Sequence, residues 1–296
     1  MDFNGLDLPA PVLEGVREAG FVTMTPIQEG ALPLALKGKD VAGQSQTGTG
    51  KTAAFLIAAY TRLLRTRIVR GLLALLVGTG IALIFSEKVV DWLAKPVTEL
   101  GFELVFTAPA EAFWVQMKVG LILGLFIASP AILWQVWSFI APGLHEHEKK
   151  YAAPFVILGS LMFILGGVFS LKVVTPSAIK FLLGYARPGL KPMITIENHI
   201  DFLLKFTLAF GAVFELPLAI TLLSRMGVVT AKMLAKNRKY AILGAFIAGA
   251  VLTPTPDAFN QTLMAGPIIV LYEVGIICAR LFGKRAAPAA TPASAA

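Results

Sequence analysis

The sequence is poor in charge and nearly free of cysteine, and both shortages restrict what the protein can be. Only 15% of its 296 residues are charged, whereas 56% are hydrophobic and the mean hydropathy is +0.73. A chain with so little polar surface cannot cover a soluble fold of this length, so the composition predicts a protein of the lipid bilayer. The single cysteine, Cys278, excludes a disulfide within the chain.

Patterns typical of enzymes and metal proteins are also missing. The sequence has no Ser-His-Asp or Cys-His arrangement, and His199 stands alone. His145, His147 and Glu148 share one short loop without a second half to complete a ligand set. We therefore expect no catalytic residues, no metal and no cofactor.

Long apolar runs fill most of the chain after residue 66. A helix needs about 20 mostly apolar residues to cross a hydrocarbon core about 30 Å thick. On this measure the sequence predicts an all-α integral membrane protein with six transmembrane helices. The last two are weak by length, because one holds only a dozen apolar residues and Glu273 interrupts the other. The predicted spans are 68–86, 114–138, 154–174, 202–223, 239–252 and 264–282.

The distribution of Lys and Arg predicts the orientation, since loops that face the cytoplasm collect these residues. With the amino end inside, the inner flanks hold fourteen of them, against eight in the outer loops and at the outer ends of spans. Both termini are therefore expected in the cytoplasm, as an even number of spans requires. The outer loop 87–111 is predicted to lie as short amphipathic pieces at the headgroup level, and residues 284–296 to be a disordered tail.

Residues 1–66 differ from the rest, because they have mixed charge and no stretch that spans a membrane. KGKDVAGQSQTGTGKT, residues 37–52, predicts a short strand at 40–43, a glycine-rich loop and a helix from Lys51, a short α/β-type fragment. A phosphate-binding loop needs small residues whose N–H groups wrap phosphates, a Lys that reaches them and a hydroxyl for magnesium. The residues that supply these parts are Gly48, Gly50, Lys51 and Thr52.

Together with GFVTMTPIQ, residues 20–28, this loop resembles the N-terminus of the DEAD-box RNA helicases. The resemblance implies that Gln28 contacts an adenine base. It covers only about residues 1–65, and nothing downstream resembles the magnesium-holding acidic motif or the second helicase domain. Two interpretations stay open: an ATP-dependent membrane or RNA-associated protein, and a remnant of a gene fusion. Nucleic acid is not expected as a partner.

Three acidic residues are candidates for function. Glu215 lies inside the apolar run LAFGAVFELPLAI, where an acid costs about 2.5 to 3.5 kcal/mol and so marks a functional site by default. A protonated Glu bonded to a neighbouring helix is the structural alternative, and a proton-coupled transporter is a further functional one. Pro217 is expected to bend the helix there. The structural alternative for Glu148 is an ordinary solvated charge in a loop, and the structural alternative for Asp257 is a helix cap.

Several long motifs stand in a fixed order along the apolar part of the chain. They are VFTAPAEAFWVQMKVG, SPAILWQVWSFIAPGLHEHEKKYAAP, LAFGAVFELPLAI, LAKNRKYAILGAFIAGAVLTPTPDAFNQ and GPIIVLYEVGI. Through these motifs residues 65–283 resemble the TatC family, the multi-spanning subunit of the twin-arginine (Sec-independent) protein translocase. The resemblance implies a receptor in the inner (cytoplasmic) membrane that recognises twin-arginine signal peptides and exports folded proteins with the proton-motive force. It also implies TatA and TatB partners and a homo-oligomeric complex.

The same resemblance assigns roles to individual residues. Phe139 and Glu148 would line the signal-peptide site, Glu215 would dock a partner helix, and Asp257 with Gln261 would form an outer cap. A carboxylate suits the first role because it holds a guanidinium through two parallel hydrogen bonds.

One position departs from the family. The family's Glu-Leu-Arg element appears here as Leu63, Leu64 and Arg65. We therefore expect a chain that folds but binds signal peptides weakly. The expected domains are 1–66, 67–283 and the tail 284–296.

Overall fold

A computed structural model describes most of the chain and divides it into two units. The first unit is Met1–Leu73 with Ser138–Ile140, and the second is Ala74–Trp137 with Ala141–Ala296. The described residues are 2–39, 41–44, 50–59, 61, 65–140, 152–185, 193–252 and 257–283.

The described residues before residue 60 form mainly short helices. Helices α1 (Ala10–Glu18), α2 (Pro26–Leu36) and α3 (Lys51–Ala59) follow a 3₁₀ turn at Phe3–Gly5. The helix predicted from Lys51 is thus confirmed, whereas residues 41–43 do not form the predicted strand and Asp40 lies outside the described residues. A strand needs a neighbour to satisfy its backbone groups, and the described part of this unit offers only an isolated bridge between Asp2 and Thr23. Its buried apolar core consists of Phe3, Leu8, Val12, Val16, Met24, Leu32, Ala54 and Ile57.

The apolar remainder of the chain forms long helices joined by short ones. Two two-residue strands, β1 (Leu104–Val105) and β2 (Ile194–Thr195), pair in parallel and mark one end of the second unit, called the ladder end below. The helices are α4 (Arg65–Thr98), α5 (Glu111–Ile140), α6 (Ala152–Phe169), α7 (Thr175–Leu183), α8 (Ile196–Phe214), α9 (Leu216–Arg225), α10 (Ala231–Lys236), α11 (Arg238–Leu252) and α12 (Ala258–Phe282), with a π-helical segment Ser170–Val174 between α6 and α7.

Five of the six predicted spans are helices of membrane-spanning length and hydropathy in the described part of the chain, so the protein is a multi-pass membrane protein. The remaining predicted span, 239–252, corresponds to α11, which has 15 residues and a length of about 22 Å. That is shorter than the hydrocarbon core, because the apolar run itself is short. The five spans are Thr66–Thr98, Glu111–Phe139, Ala152–Leu183, Ile196–Arg225 and Ala258–Phe282.

Short amphipathic pieces were predicted for residues 87–111. In the structure the first half of this stretch instead continues α4 as far as Thr98. The helix runs on to Thr98 because Val90, Leu93 and Val97 recur at helical spacing and are buried against α5 and α8. His199 of α8 is buried beside them, with Nε2 3.0 Å from the Leu93 carbonyl oxygen. The ladder end is therefore a packed part of the second unit.

Candidate functional site

Glu215 lies at a break between two helices within one span. Helix α8 ends at Phe214 and α9 begins at Leu216, with Pro217 in the first turn of α9. Proline has no N–H group and cannot continue the hydrogen-bond ladder of α8. The Glu215 N–H group instead donates to the Ala212 carbonyl at 3.2 Å, which tightens the last turn. The helix is therefore interrupted next to Pro217, where a bend was expected.

The Glu215 carboxyl group lies next to Gly159 of α6. Its Oε1 atom is buried and has no hydrogen-bond partner among the described residues. Gly159 of α6 leaves the space for this group, because a Cβ atom added there would lie 3.3 Å from Glu215 Oε2. The same added atom would lie 2.9 Å from Leu133 Cδ1 and 3.1 Å from Leu218 Cδ2. The acid therefore lies close to Gly159, Leu133 and Leu218, a position called the notch below.

Within the part of the chain that the structure describes, this acceptor has no donor. A buried polar atom that lacks its hydrogen bond costs about 1 to 3 kcal/mol, and a charged one costs more. A donor brought by a neighbouring molecule, such as a polar or cationic side chain on a second helix, would remove that cost. The notch thus has the chemistry of a docking point.

Asp257 and Gln261 are both engaged in structure at the start of α12. Asp257 is the N-cap: Asn260 donates its backbone N–H to Oδ1 at 2.7 Å and its side-chain amide to Oδ2 at 2.9 Å. The expected helix cap is confirmed. Gln261 donates from Nε2 to the Phe246 carbonyl at 3.0 Å and so ties α12 to α11.

The residues expected at the signal-peptide site are only partly described. Phe139 lies near the end of α5 with 38% of its surface exposed, and it belongs to the first unit. Glu148, His145 and His147 lie outside the described residues, as does Leu63. The roles assigned to Phe139 and Glu148 stay predictions.

Of the residues expected to bind nucleotide, some form contacts or helix ends within the first unit, and the others lie outside the described residues. Gln28 is fully buried, its Oε1 accepts from the Thr25 N–H at 2.9 Å, and its Nε2 donates to the Gly50 carbonyl at 3.1 Å. Thr25 and Gln28 form the capping box of α2, a structural task that needs no nucleotide. Lys51 and Thr52 begin α3, whereas Gly48 lies outside the described residues.

Two ion-pair groups were missed by the sequence analysis. Arg238 binds Glu273 through two parallel contacts, Nε to Oε1 at 2.6 Å and Nη2 to Oε2 at 2.8 Å. Lys118 Nζ lies 2.7 Å from Glu197 Oε1 and 2.9 Å from Asp201 Oδ1. A signal was present, since Lys118 and Glu273 each interrupt an apolar run and so call for an opposite charge nearby. The partners themselves come from distant parts of the chain.

Comparisons with known proteins identify the family. Residues 60–267 match the family model for TatC, the Sec-independent protein translocase protein. The chain belongs to the TatC family. The TatC protein of Carboxydothermus hydrogenoformans is 42% identical over 217 residues, which cover 73% of this chain and 89% of the relative. That of Aquifex aeolicus is 38% identical over 233 residues, which cover 77% of this chain and 96% of the relative.

A solved TatC structure agrees with this assignment. The crystal structure of a twin-arginine translocase receptor, TatC, matches with a TM-score of 0.68 at 39% identity, over 74% of this chain and 97% of the other. TatC membership confirms the resemblance of the membrane part and makes the chain a protein-transport component rather than an enzyme. The family match begins at residue 60, and the resemblance of residues 1–65 to helicases receives no support from it.

Proposed function

We propose that this chain is the receptor and core subunit of a twin-arginine translocase in the cytoplasmic membrane. It recognises twin-arginine signal peptides on folded proteins, and the proton-motive force drives their export. Membership of the TatC family supports this proposal. The structural observation that carries the proposal is the Glu215 carboxyl group, which lies at a helix break inside a span. One of its oxygen atoms is buried and accepts no hydrogen bond from any described residue.

Glu215 is the proposed contact for a partner helix of the TatA or TatB type. Membrane helices associate through close packing at small residues and through hydrogen bonds between helices. The notch offers the hydrogen-bond acceptor, Glu215, whereas Gly159 is itself buried and serves to leave room for the carboxyl group. A partner helix that carries a hydroxyl, amide or cationic side chain would satisfy Oε1.

The signal-peptide site is proposed at the opposite end of α5 from the ladder. The segment between α5 and α6 carries Glu148 next to Lys149 and Lys150 in the sequence. With both termini in the cytoplasm and six spans, this loop faces the side from which a folded cargo arrives. Glu148 would pair with a guanidinium and Phe139 would pack against the apolar part of the peptide. Asp257 and Gln261 are proposed to form the outer cap.

Residues 1–66 are proposed to be a helicase-like fragment without a part in transport. A phosphate-binding loop works at the edge of a parallel sheet built from several strands. The described part of these residues contains helices and one isolated bridge, but no sheet. The magnesium-holding acid is also missing from the sequence.

Substitutions at Glu215 test the proposed function. A photo-crosslinker at Leu218, beside the notch, reports contact with the partner subunit, and export of a folded reporter with a twin-arginine signal reports transport. Glu215→Leu should lower crosslinking about tenfold, because the interhelical hydrogen bond is lost. Glu215→Gln should keep part of it, since an amide oxygen still accepts.

Glu99→Leu, which changes an exposed acid near the ladder end, serves as the matched control. Circular dichroism and detergent stability show whether each variant folds. The proposal is overturned if a folded Glu215→Leu variant keeps both normal crosslinking and normal export.

A further inference from the structure

An apolar groove lies within the first unit, between α2 and α3. Ile27 and Ala31 of α2 line one side, and Phe55 and Ala58 of α3 line the other. The groove has a volume of about 270 Å³. Among the described residues that line it, Lys51 at the start of α3 is the only charged one. The groove therefore combines an apolar lining with a single positive charge.

The α3 side of this groove is exposed although it is apolar. Phe55 and the next residue, Leu56, expose 71% and 57% of their surfaces. Ala54 and Ile57 on the same helix are buried in the core of the first unit, so α3 uses one face for the core and leaves another uncovered. Two adjacent large apolar side chains at the edge of an apolar groove mark a surface that binds a membrane or a protein.

The covalent chain keeps this surface close to the bilayer. Helix α3 ends at Ala59, and the first membrane span begins at Thr66, seven residues later. Seven residues reach no more than about 25 Å even when fully extended. The first unit also contains the start of the span, since it extends to Leu73 of α4. The bilayer is therefore present beside this surface at a high effective concentration.

The charge along α3 and into α4 also favours a lipid surface. Residues 51–70 contain no acid, and their basic residues are Lys51, Arg62, Arg65, Arg67 and Arg70. Basic clusters next to a span attract anionic headgroups, and helices with basic and apolar faces lie at the boundary between headgroups and acyl chains. A protein partner would have to bring both an acidic and an apolar surface, whereas the bilayer beside α4 already offers both.

We propose that the first unit lies against the bilayer surface at which α4 enters the membrane. Phe55 and Leu56 insert at the boundary between headgroups and acyl chains, and hydrocarbon of that layer covers the groove. Lys51 and the four arginines that follow α3 attract anionic headgroups. The helicase-like fragment thereby serves as a membrane-surface anchor, a role that depends neither on nucleotide binding nor on the transport function proposed above.

Fluorescence quenching at Thr52 tests the proposal, because Thr52 is exposed and lies one turn before Phe55 and Leu56. The full chain with Cys278→Ala and Thr52→Cys carries a nitrobenzoxadiazole label. It is reconstituted as one copy per nanodisc in phosphatidylcholine with phosphatidylglycerol. Lipid that carries a nitroxide near its headgroup quenches a label in contact with lipid, and iodide quenches a label in water. We expect strong quenching by the lipid and weak quenching by iodide.

Two changes should reduce the quenching by lipid. Phe55→Ser combined with Leu56→Ser should lower it about fivefold, because the inserted apolar side chains are lost. Replacing phosphatidylglycerol by phosphatidylcholine should lower it about twofold, because the attraction to anionic headgroups is lost. The lipid comparison keeps Phe55 and Leu56 and so tests the proposal even if the double variant unfolds. Resistance to trypsin in detergent shows whether the first unit folds in each variant.

Val22→Ser is the matched control, because Val22 is 79% exposed and lines a different cavity of the first unit, beside Leu13 and Arg17 of α1. It should leave the quenching unchanged. The proposal is overturned if iodide, and not the lipid, quenches the label beside native Phe55 and Leu56. A folded double variant that keeps the native lipid quenching, or loses no more than Val22→Ser, also overturns it. Protection from both quenchers would do the same, since protein would then cover the surface.

Discussion

At the scale of single residues, Glu215 and Gly159 act together. The acid was visible in the sequence because it interrupts an apolar run, and the structure shows that a glycine on α6 makes the space beside its carboxyl group. The notch therefore depends on the absence of a side chain as much as on the presence of one. This gives Gly159 a positioning role that can be tested without changing the acid.

We predict that Gly159→Ala disturbs the notch. The added methyl would lie 2.9 Å from Leu133 Cδ1 and 3.1 Å from Leu218 Cδ2, so its neighbours must move. Overpacking of this kind costs about 1 to 3 kcal/mol of stability. Thermal unfolding in detergent measures this cost, and crosslinking at Leu218 measures partner contact, which should fall. Gly80→Ala is the control, because nothing lies within 4 Å of its added Cβ atom. Equal stability of the two variants would contradict the prediction.

A second prediction at this scale concerns Leu63, where the resemblance to the family leads us to expect an acid. Leu63→Glu should increase crosslinking to a twin-arginine peptide about tenfold, because a carboxylate can pair with the second arginine through charge-assisted hydrogen bonds. Leu64→Glu adds the same charge one residue away and is the control. No gain over that control would show that the missing acid does not limit binding.

At the scale of elements, charged side chains join the helices at the ladder end. Glu111, at the start of α5, accepts from the Thr107 N–H at 2.7 Å and from the Glu197 N–H at 3.1 Å. Two turns further along α5, Lys118 binds Glu197 and Asp201 of α8. Glu197 and Asp201 are four residues apart on one helix and repel each other without the lysine. Lys118 therefore couples α5 to α8.

We predict that Lys118→Met lowers the free energy of unfolding by about 1 kcal/mol, since partly exposed ion pairs are each worth about 0.2 to 1 kcal/mol. A double-mutant cycle with Asp201→Asn should give a coupling of about 0.5 to 1 kcal/mol. Denaturant or thermal unfolding in detergent provides the four stabilities. Lys95→Met, on an exposed lysine of α4, should show no coupling to Asp201. Additive effects of Lys118→Met and Asp201→Asn would rule out the proposed link.

At the scale of the whole molecule, the number of membrane crossings depends on α11. Its 15 residues give about 22 Å of helix, less than a bilayer core about 30 Å thick. It packs against α12, and Gln261 bonds to the Phe246 carbonyl between them. A short helix shielded by a neighbour crosses where the bilayer thins locally. Six crossings, if α11 spans the bilayer, would place both termini on one side.

We predict that cysteines at Val228 and Ser294 label from the same side of the membrane, and a cysteine at Met193 from the other. The background is Cys278→Ala, which removes the native thiol, and Val228 and Met193 are 60% and 83% exposed. A membrane-impermeant maleimide applied to vesicles of known orientation gives the measurement. Labelling of Val228 and Ser294 from opposite sides would mean five crossings.

Much of the membrane fold and part of the site follow from the sequence. Apolar run length placed the five long spans, because the bilayer requires each backbone polar group to be satisfied within a helix. Glu215, Pro217 and Asp257 were placed by local chemistry: an acid in an apolar run, a missing N–H group and a side-chain cap. Each of these depends on neighbours within a few residues.

Other features depend on residues far apart in the chain, and only the tertiary structure decided them. The extension of α4 to Thr98 depends on burial of Val90 and Val97 against α5 and α8. The strand expected at 40–43 was wrong for residues 41–43, because a strand is stable only beside another. By itself the sequence determined that the chain is a bundle of membrane helices with an acid in its fourth span. Which side chains meet that acid, and which charges pair, was decided by packing, since such contacts require segments distant in sequence to come together.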